Sequence, residues 1–200
     1  MHHIVGLGNP GEEYAHTRHN TGVIVLEKIR KQWEFPEWKE DKKKKSLIST
    51  GTIDKTAVSL LFPQTRMNKS GAALSGVVLG EKQAGKLIVI HDDIDLPIGT
   101  LKASFNRGSG GHRGVESIMR AVKTEAFMRL RVGISPTTPG GKLKKPTGEK
   151  AVNNFILGKF SDKEQKALSS ISRTASAILL TFFEKGKDSA IQEANQKGRS

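Results

Sequence analysis

The chain has 200 residues, 36% of them hydrophobic, with 33 Lys and Arg against 20 Asp and Glu for a formal charge of +13. That length suits one globular domain with a full core, and no apolar run approaches the roughly 18 residues of a membrane span. The chain has no cysteine, which excludes disulfides and thiolate metal sites and fits a reducing cytoplasm, while the positive surplus points to a polyanionic partner, nucleic acid first.

The elements read in chain order as alternating strands and helices. The first residues run straight into glycines without the basic-then-apolar layout of a signal peptide. Residues 2–8 predict a strand, and Gly22 to about Lys31 a helix with Val23, Leu26 and Ile29 inward. Lys39 to Lys45 is a charge run read as a loop or strand edge, its lysines at 42–45 either extending a basic binding patch or, the favoured reading, simply solvated. Ser46–Ile53 and Thr56–Phe62 predict a hairpin turning at Asp54-Lys55. Met67 to Leu79 predicts a helix with Asn68 or Ser70 as cap.

Lys86–His91 is a β-branched apolar run suited to a central buried strand. Leu96–Phe105 predicts a further strand after a Pro97 turn, Gly114–Lys123 a helix, and Arg129–Ile134 a strand. Ser135–Lys150, rich in proline, glycine and lysine, predicts a mobile basic loop. Two or three helices finish the chain, the clearest from about Asp162 to Glu184. The sum is an α/β fold: a single domain over residues 1–185 with a twisted mixed, mostly parallel β-sheet flanked by helices, and a helical or disordered tail over 186–200.

Gly6-Leu7-Gly8-Asn9-Pro10-Gly11 fits the G-x-G-x-x-G spacing of a dinucleotide loop. Such a loop must lead directly into a helix whose N-terminus holds the pyrophosphate. Here a turn and about ten further residues intervene, and the position for the acidic ribose partner falls within the lysine-bearing helix. The glycines are better read as shaping a turn that presents Asn9 at a strand exit. His19 follows in Thr17-Arg18-His19-Asn20, and three more polar clusters sit at comparable exits: Thr65–Gly71, His91–Pro97 and Gly108–Gly114. In open α/β sheets that edge is where ligands bind.

Together these stretches resemble bacterial-type peptidyl-tRNA hydrolase. The family carries a GLGNPG opening, a TRHN motif, an MN-SG motif, an HD-xLDLP motif and a GGHNG-type loop, and counterparts of all five occur here in order between about residues 3 and 185. The resemblance implies a cofactor-free, metal-free cytoplasmic monomer. Such an enzyme hydrolyses the ester between a stalled peptide and the 3′ end of tRNA, its partner being the acceptor stem and 3′ end of peptidyl-tRNA. It implies His19 as general base, with Asp92 fixing its tautomer. Asp93 and Asp95 read instead as turn residues ahead of Pro97.

Asn68 and Asn9 become candidate amide donors to substrate, with a helix cap and a turn residue as their structural alternatives. Tyr14 matches a position that touches the tRNA end, where an aromatic face can stack. His112 either shapes the cleft or bonds a loop carbonyl.

Two residues depart from the family pattern: Arg113 stands where asparagine is usual in GGHNG, and Arg66 stands where phenylalanine usually precedes the MN motif. Both keep a substrate-contact assignment with altered chemistry, and Arg113 could instead pair with Asp92 or Asp93. Lys102, Arg107, Arg113 and the loop lysines Lys142, Lys144 and Lys145 are candidate phosphate contacts, which would read charge and not sequence. Two other classes remain: a non-catalytic RNA-binding protein on the same scaffold, and a metallohydrolase built from His19, His91, Asp92, Asp93 or His112. No H-E-x-x-H or Gly-x-Ser-x-Gly spacing is present.

Overall fold

The computed structural model describes residues 1–78 and 80–197. Seven strands form one sheet in the order β2-β3-β4-β1-β5-β7-β6. They are β1 (His2–Gly6), β2 (Lys39–Asp41), β3 (Ser46–Ile53), β4 (Thr56–Pro63), β5 (Leu87–Pro97), β6 (Leu101–Phe105) and β7 (Met128–Ser135). The four central strands β4, β1, β5 and β7 run parallel, and antiparallel strands flank them on both sides. The helices are α1 (Thr21–Gln32), the single turn α2 (Glu81–Ala84), α3 (Arg113–Val122), α4 (Glu149–Ile156), α5 (Asp162–Lys185) and α6 (Lys187–Lys197).

Two cores follow from the alternation of side chains along the parallel strands. On one face, Ile4, Leu60, Ile88, Ile90 and Leu130 meet α1 (Val25, Leu26, Ile29) and α5 (Leu168, Ala175, Ile178, Leu179). On the other, Val5, Leu61, Leu87 and Val89 meet Met67, Leu74 and α3 (Val115, Ile118, Val122). Each fully buried branched side chain contributes roughly 1.5–3 kcal/mol relative to an exposed one, so both layers are needed to fix the sheet. α6 packs Ala190 and Ala194 into the first core, and its Asn195 Oδ1 accepts the Ala103 N–H at 3.2 Å. Ser161 and Glu164 close a capping box at the start of α5.

Several elements differ from the sequence expectation. Met67–Leu74 is a 3-10 helix whose N-cap position is Arg66, with no side-chain cap from Asn68 or Ser70, and Leu79 lies outside the described residues. Gly71 lets the segment press its backbone onto α3: a Cβ there would lie 2.1 Å from Ser117 O, and Ser117 Oγ accepts the Gly71 N–H. Residues 96–105 are not one strand. β5 continues through Pro97 by a register shift against β7, and β6 begins only at Leu101. The expected basic loop is folded back on itself, with a Thr137–Leu143 bridge and Lys144 N donating to Pro136 O. Among the described residues no helix is long and apolar enough to cross a membrane.

Candidate active site

A cleft of about 1640 Å³ opens over the C-terminal ends of the parallel strands. β1 delivers Asn9, the 3-10 turn Arg18–Asn20 delivers His19, β4 leads to Arg66 and Asn68, and β5 carries His91, Asp92 and Asp93. His112 and Arg113 stand at the start of α3, and α4 and α6 close the cleft with Val152, Ile156 and Ile191.

The glycine opening is built for close packing. A Cβ on Gly22 would lie 2.2 Å from Ile90 O and 2.5 Å from Leu7 N, so only glycine lets the first turn of α1 sit against β1 and β5. Gly11 holds φ +112°, which turns the chain out of the loop. Between them Asn9 is fixed from three sides. Its N–H donates to Asn20 Oδ1 and its C=O accepts from Asn20 Nδ2, both at 2.9 Å. Its side-chain Oδ1 accepts the Met67 N–H at 2.8 Å, which commits the oxygen and leaves Nδ2 as the cleft's donor. No phosphate cradle is formed.

Asp92 lies between two imidazoles. His19 Nδ1 stands 3.1 Å from both carboxylate oxygens, and His112 Nε2 stands 3.0 Å from Oδ1. Their tautomers follow from the remaining contacts. His112 Nδ1 accepts the N–H groups of Gly114 and Val115, capping α3, so its proton is on Nε2 and points at Asp92. His19 donates from Nδ1, which leaves Nε2 with a free lone pair. All three side chains are at most 12% exposed.

The electrostatics reinforce this. Burial pushes the His19 pKa down, but the Asp92 charge and hydrogen bond lift it above its ordinary 6.5, while Arg113 pulls slightly the other way. For Asp92, burial alone would favour the neutral acid, and the two imidazoles beside it instead hold it well below the usual carboxylate range.

His19, Asp92 and His112 offer atoms within 4.8 Å of one another, a spacing that could suit a cation. The donor chemistry does not. A neutral imidazole ligating through Nε2 must carry its proton on Nδ1, and in His112 that nitrogen faces two N–H donors of α3.

Other assigned residues spread around the cleft. Tyr14, Arg66, Asn68, Lys102, Arg107 and Arg113 all line it, whereas Lys142, Lys144 and Lys145 do not. Lys145 reaches only the rim, pairing with Asp95. Arg113 pairs with neither Asp92 nor Asp93; its Nη2 meets Glu149 on α4 across the opening. His112 bonds Asp92 and the start of α3 rather than a loop carbonyl. Asp93 binds Arg131 at 2.6 Å and accepts the Asp95 N–H; that local bond is the one expected in a turn ahead of Pro97, but it lies within β5 where the register against β7 shifts.

Sequence reasoning missed Asn20, whose side chain brackets the Asn9 backbone, and Arg129, which props the glycine loop by donating to the carbonyls of Arg107 and Gly108. It also missed Glu149 and Asp188, two acids on the cleft wall.

Comparison with known proteins identifies the family. The family profile described as peptidyl-tRNA hydrolase matches residues 3–200. Proteins named peptidyl-tRNA hydrolase from Syntrophotalea carbinolica and Aquifex aeolicus are 33% and 35% identical, each over 97% of this chain and 96% of their own. The crystal structure of peptidyl-tRNA hydrolase from Acinetobacter baumannii superposes with a TM-score of 0.84 at 30% identity, covering 98% of this chain and 94% of that one. With the family profile matched over nearly the whole chain, relatives above 30% identity along almost their full length and the same fold already solved, the chain belongs to the peptidyl-tRNA hydrolase family.

Proposed function

We propose that this hydrolase of peptidyl-tRNA works in the cytoplasm as a cofactor-free monomer and cleaves its ester by direct attack of water, with His19 Nε2 as the general base. The observation that carries the reading is the His19–Asp92 contact. It pins the proton on Nδ1, keeps the lone pair of Nε2 available at the cleft, and stabilises the imidazolium formed as water loses its proton. Asp92 stays ionised throughout. Asn9 Nδ2, oriented by the Met67 N–H bound to Oδ1, and Asn68 supply amide donors for the peptide and for the carbonyl oxygen as it gains charge. Tyr14 and the cations Lys102, Arg107, Arg66 and Arg113 hold the RNA end. No covalent enzyme intermediate is required, because an ester to a ribose hydroxyl is already activated.

The test is incubation with an N-blocked aminoacyl-tRNA and its unblocked counterpart, with and without EDTA. Cleavage of the blocked ester alone, indifferent to chelator, is expected. His19→Ala is expected to lower kcat by at least about 10²-fold, the scale of general-base catalysis, while tRNA binding is retained. Binding without cleavage by the wild-type protein would instead identify an RNA-binding module on this scaffold.

A further inference from the structure

The lysine run at 42–45 does not occupy an arbitrary surface. Ser46 pairs with Pro63 on β4, two residues beyond Leu61, the partner of Val5 on β1. The β2–β3 turn is therefore lifted just past the strand ends that carry the active site. With strands about 4.8 Å apart, β3 lies roughly 10 Å and β2 roughly 15 Å along that edge from β1. The turn is rigidly held. Lys45 takes φ +48° and donates its N–H to Lys42 O, while its carbonyl accepts the Gln64 N–H at 2.7 Å. Asp41 Oδ1 accepts the Lys44 N–H, and Lys44 Nζ returns to Asp41 Oδ2 at 3.2 Å.

That arrangement separates the four lysines. Lys44 is neutralised by Asp41, but Lys42, Lys43 and Lys45 are exposed, and among the described residues no carboxylate lies within 4.0 Å of the ammonium group of any of them. Gln64 leads within two residues to Arg66, and exposed Lys69 follows. Lysine and arginine thus continue along the edge from the turn to the cleft, where Lys102, Arg107 and Arg113 take over on the far wall. Free ammonium groups on a pinned turn contact a polyanion with little ordering of the backbone.

From this placement we propose that Lys42, Lys43 and Lys45 form a second contact for the substrate's RNA, gripping phosphates of the duplex acceptor arm while the single-stranded 3′ end enters the cleft. The inference rests on the substrate reading given above and adds to it a surface outside the cleft. The contact is blind to sequence, as an enzyme serving every tRNA requires, and it acts on KM and not on the chemical step.

The experiment compares wild type with Lys42→Gln/Lys43→Gln/Lys45→Asn, asparagine being chosen because it tolerates the left-handed backbone. A second variant places arginine at all three positions. Two substrates are used: a full-length N-blocked aminoacyl-tRNA, and an N-blocked aminoacyl ester of the terminal trinucleotide that lacks the duplex. Neutralisation is expected to raise KM for the full tRNA about ten- to a hundredfold at moderate salt with kcat unchanged. It should flatten the slope of log affinity against log salt by about two to three, leave the short substrate unaffected, and be rescued by arginine.

Unchanged KM on the full tRNA would overturn the proposal and make the turn a merely solvated one. An equal loss on the short substrate would overturn it in favour of a peptide contact. Should the wild type cleave neither ester, the proposed function fails by itself, and the binding of deacylated tRNA to the three proteins still decides whether the turn contacts RNA.

Discussion

At the centre of the site one carboxylate serves two imidazoles that play different parts. His112 is fixed at both nitrogens, one committed to Asp92 and the other to the start of α3, so it positions. His19 is fixed at one nitrogen only, so it can react. The sign of each neighbour's influence on His19 then sets the pH at which the base is free. Asp92 raises its pKa and Arg113 lowers it, and Glu149 holds the guanidinium near the opening. Arg113→Asn, which restores the residue usual in the family, removes a cation facing the imidazole. The His19 pKa is expected to rise further above 6.5, and the acid limb of the kcat/KM profile to move to higher pH with it. Titration of the His19 ring by NMR in both proteins measures this directly; an unmoved or lowered pKa would show that Glu149 already cancels the Arg113 charge.

Among the elements, the 3-10 turn bearing His19 has no core of its own and is held by the segment joining α4 to α5. Arg18 Nη2 meets both Glu164 oxygens at 3.1 Å, and its guanidinium lies 4.8 Å from the Phe155 ring and 5.4 Å from that of Phe160. Its backbone N–H donates to Gly158 O. Arg18→Lys retains the charge and loses the planar guanidinium that stacks on the two rings. It is expected to lower kcat more than it raises KM and to destabilise the fold by about 1–3 kcal/mol, as read from the urea midpoint. A changed midpoint with unchanged kcat would make Arg18 structural only.

What was legible at this scale was whatever local pattern decides: β1, α1, the hairpin, the core of β5, β7 and α5 announce themselves by apolar period. Contacts distant in sequence decided the rest. The seating of 67–74 on α3 answers to Ser117, and the extension of β5 through Pro97 to its pairing with Ser135. α6 buries only alanines among its polar residues, leaving little apolar signal. In the candidate site the motif residues stood out because they are polar at strand exits. The service of Asn20 to Asn9 and of Arg129 to the glycine loop exists only once the chain is folded.

Over the whole molecule, four histidines pull stability in two directions with pH. His91 is fully buried with Nδ1 bonded to Asp92 O at 2.7 Å and Nε2 unpartnered; burial first, then the neighbouring His112 and Arg129, push its pKa well below 6.5. Burial, and after it the charge of the N-terminus, lower His2 to about 4 and also depress His3. These three take up protons in the unfolded chain before the folded one, so their contribution is full above about pH 6.5 and is lost as pH falls toward their folded values. His19 acts oppositely: its raised pKa adds stability below about 6.5, lost as pH rises through the folded value. Asp92, depressed, contributes above about pH 4 and weakens only in stronger acid. Three groups outweigh one, and the denaturation midpoint is expected to fall between pH 6.5 and 4.5. Self-repulsion of a chain already at +13 acts in the same direction, so wild type alone cannot isolate the histidines. His91→Asn can, because asparagine retains a donor for Asp92 O and has no imidazole to protonate. Its stability-against-pH curve should be shallower than wild type across that window whatever its absolute stability, and a parallel curve would mean that His91 carries none of the acid sensitivity.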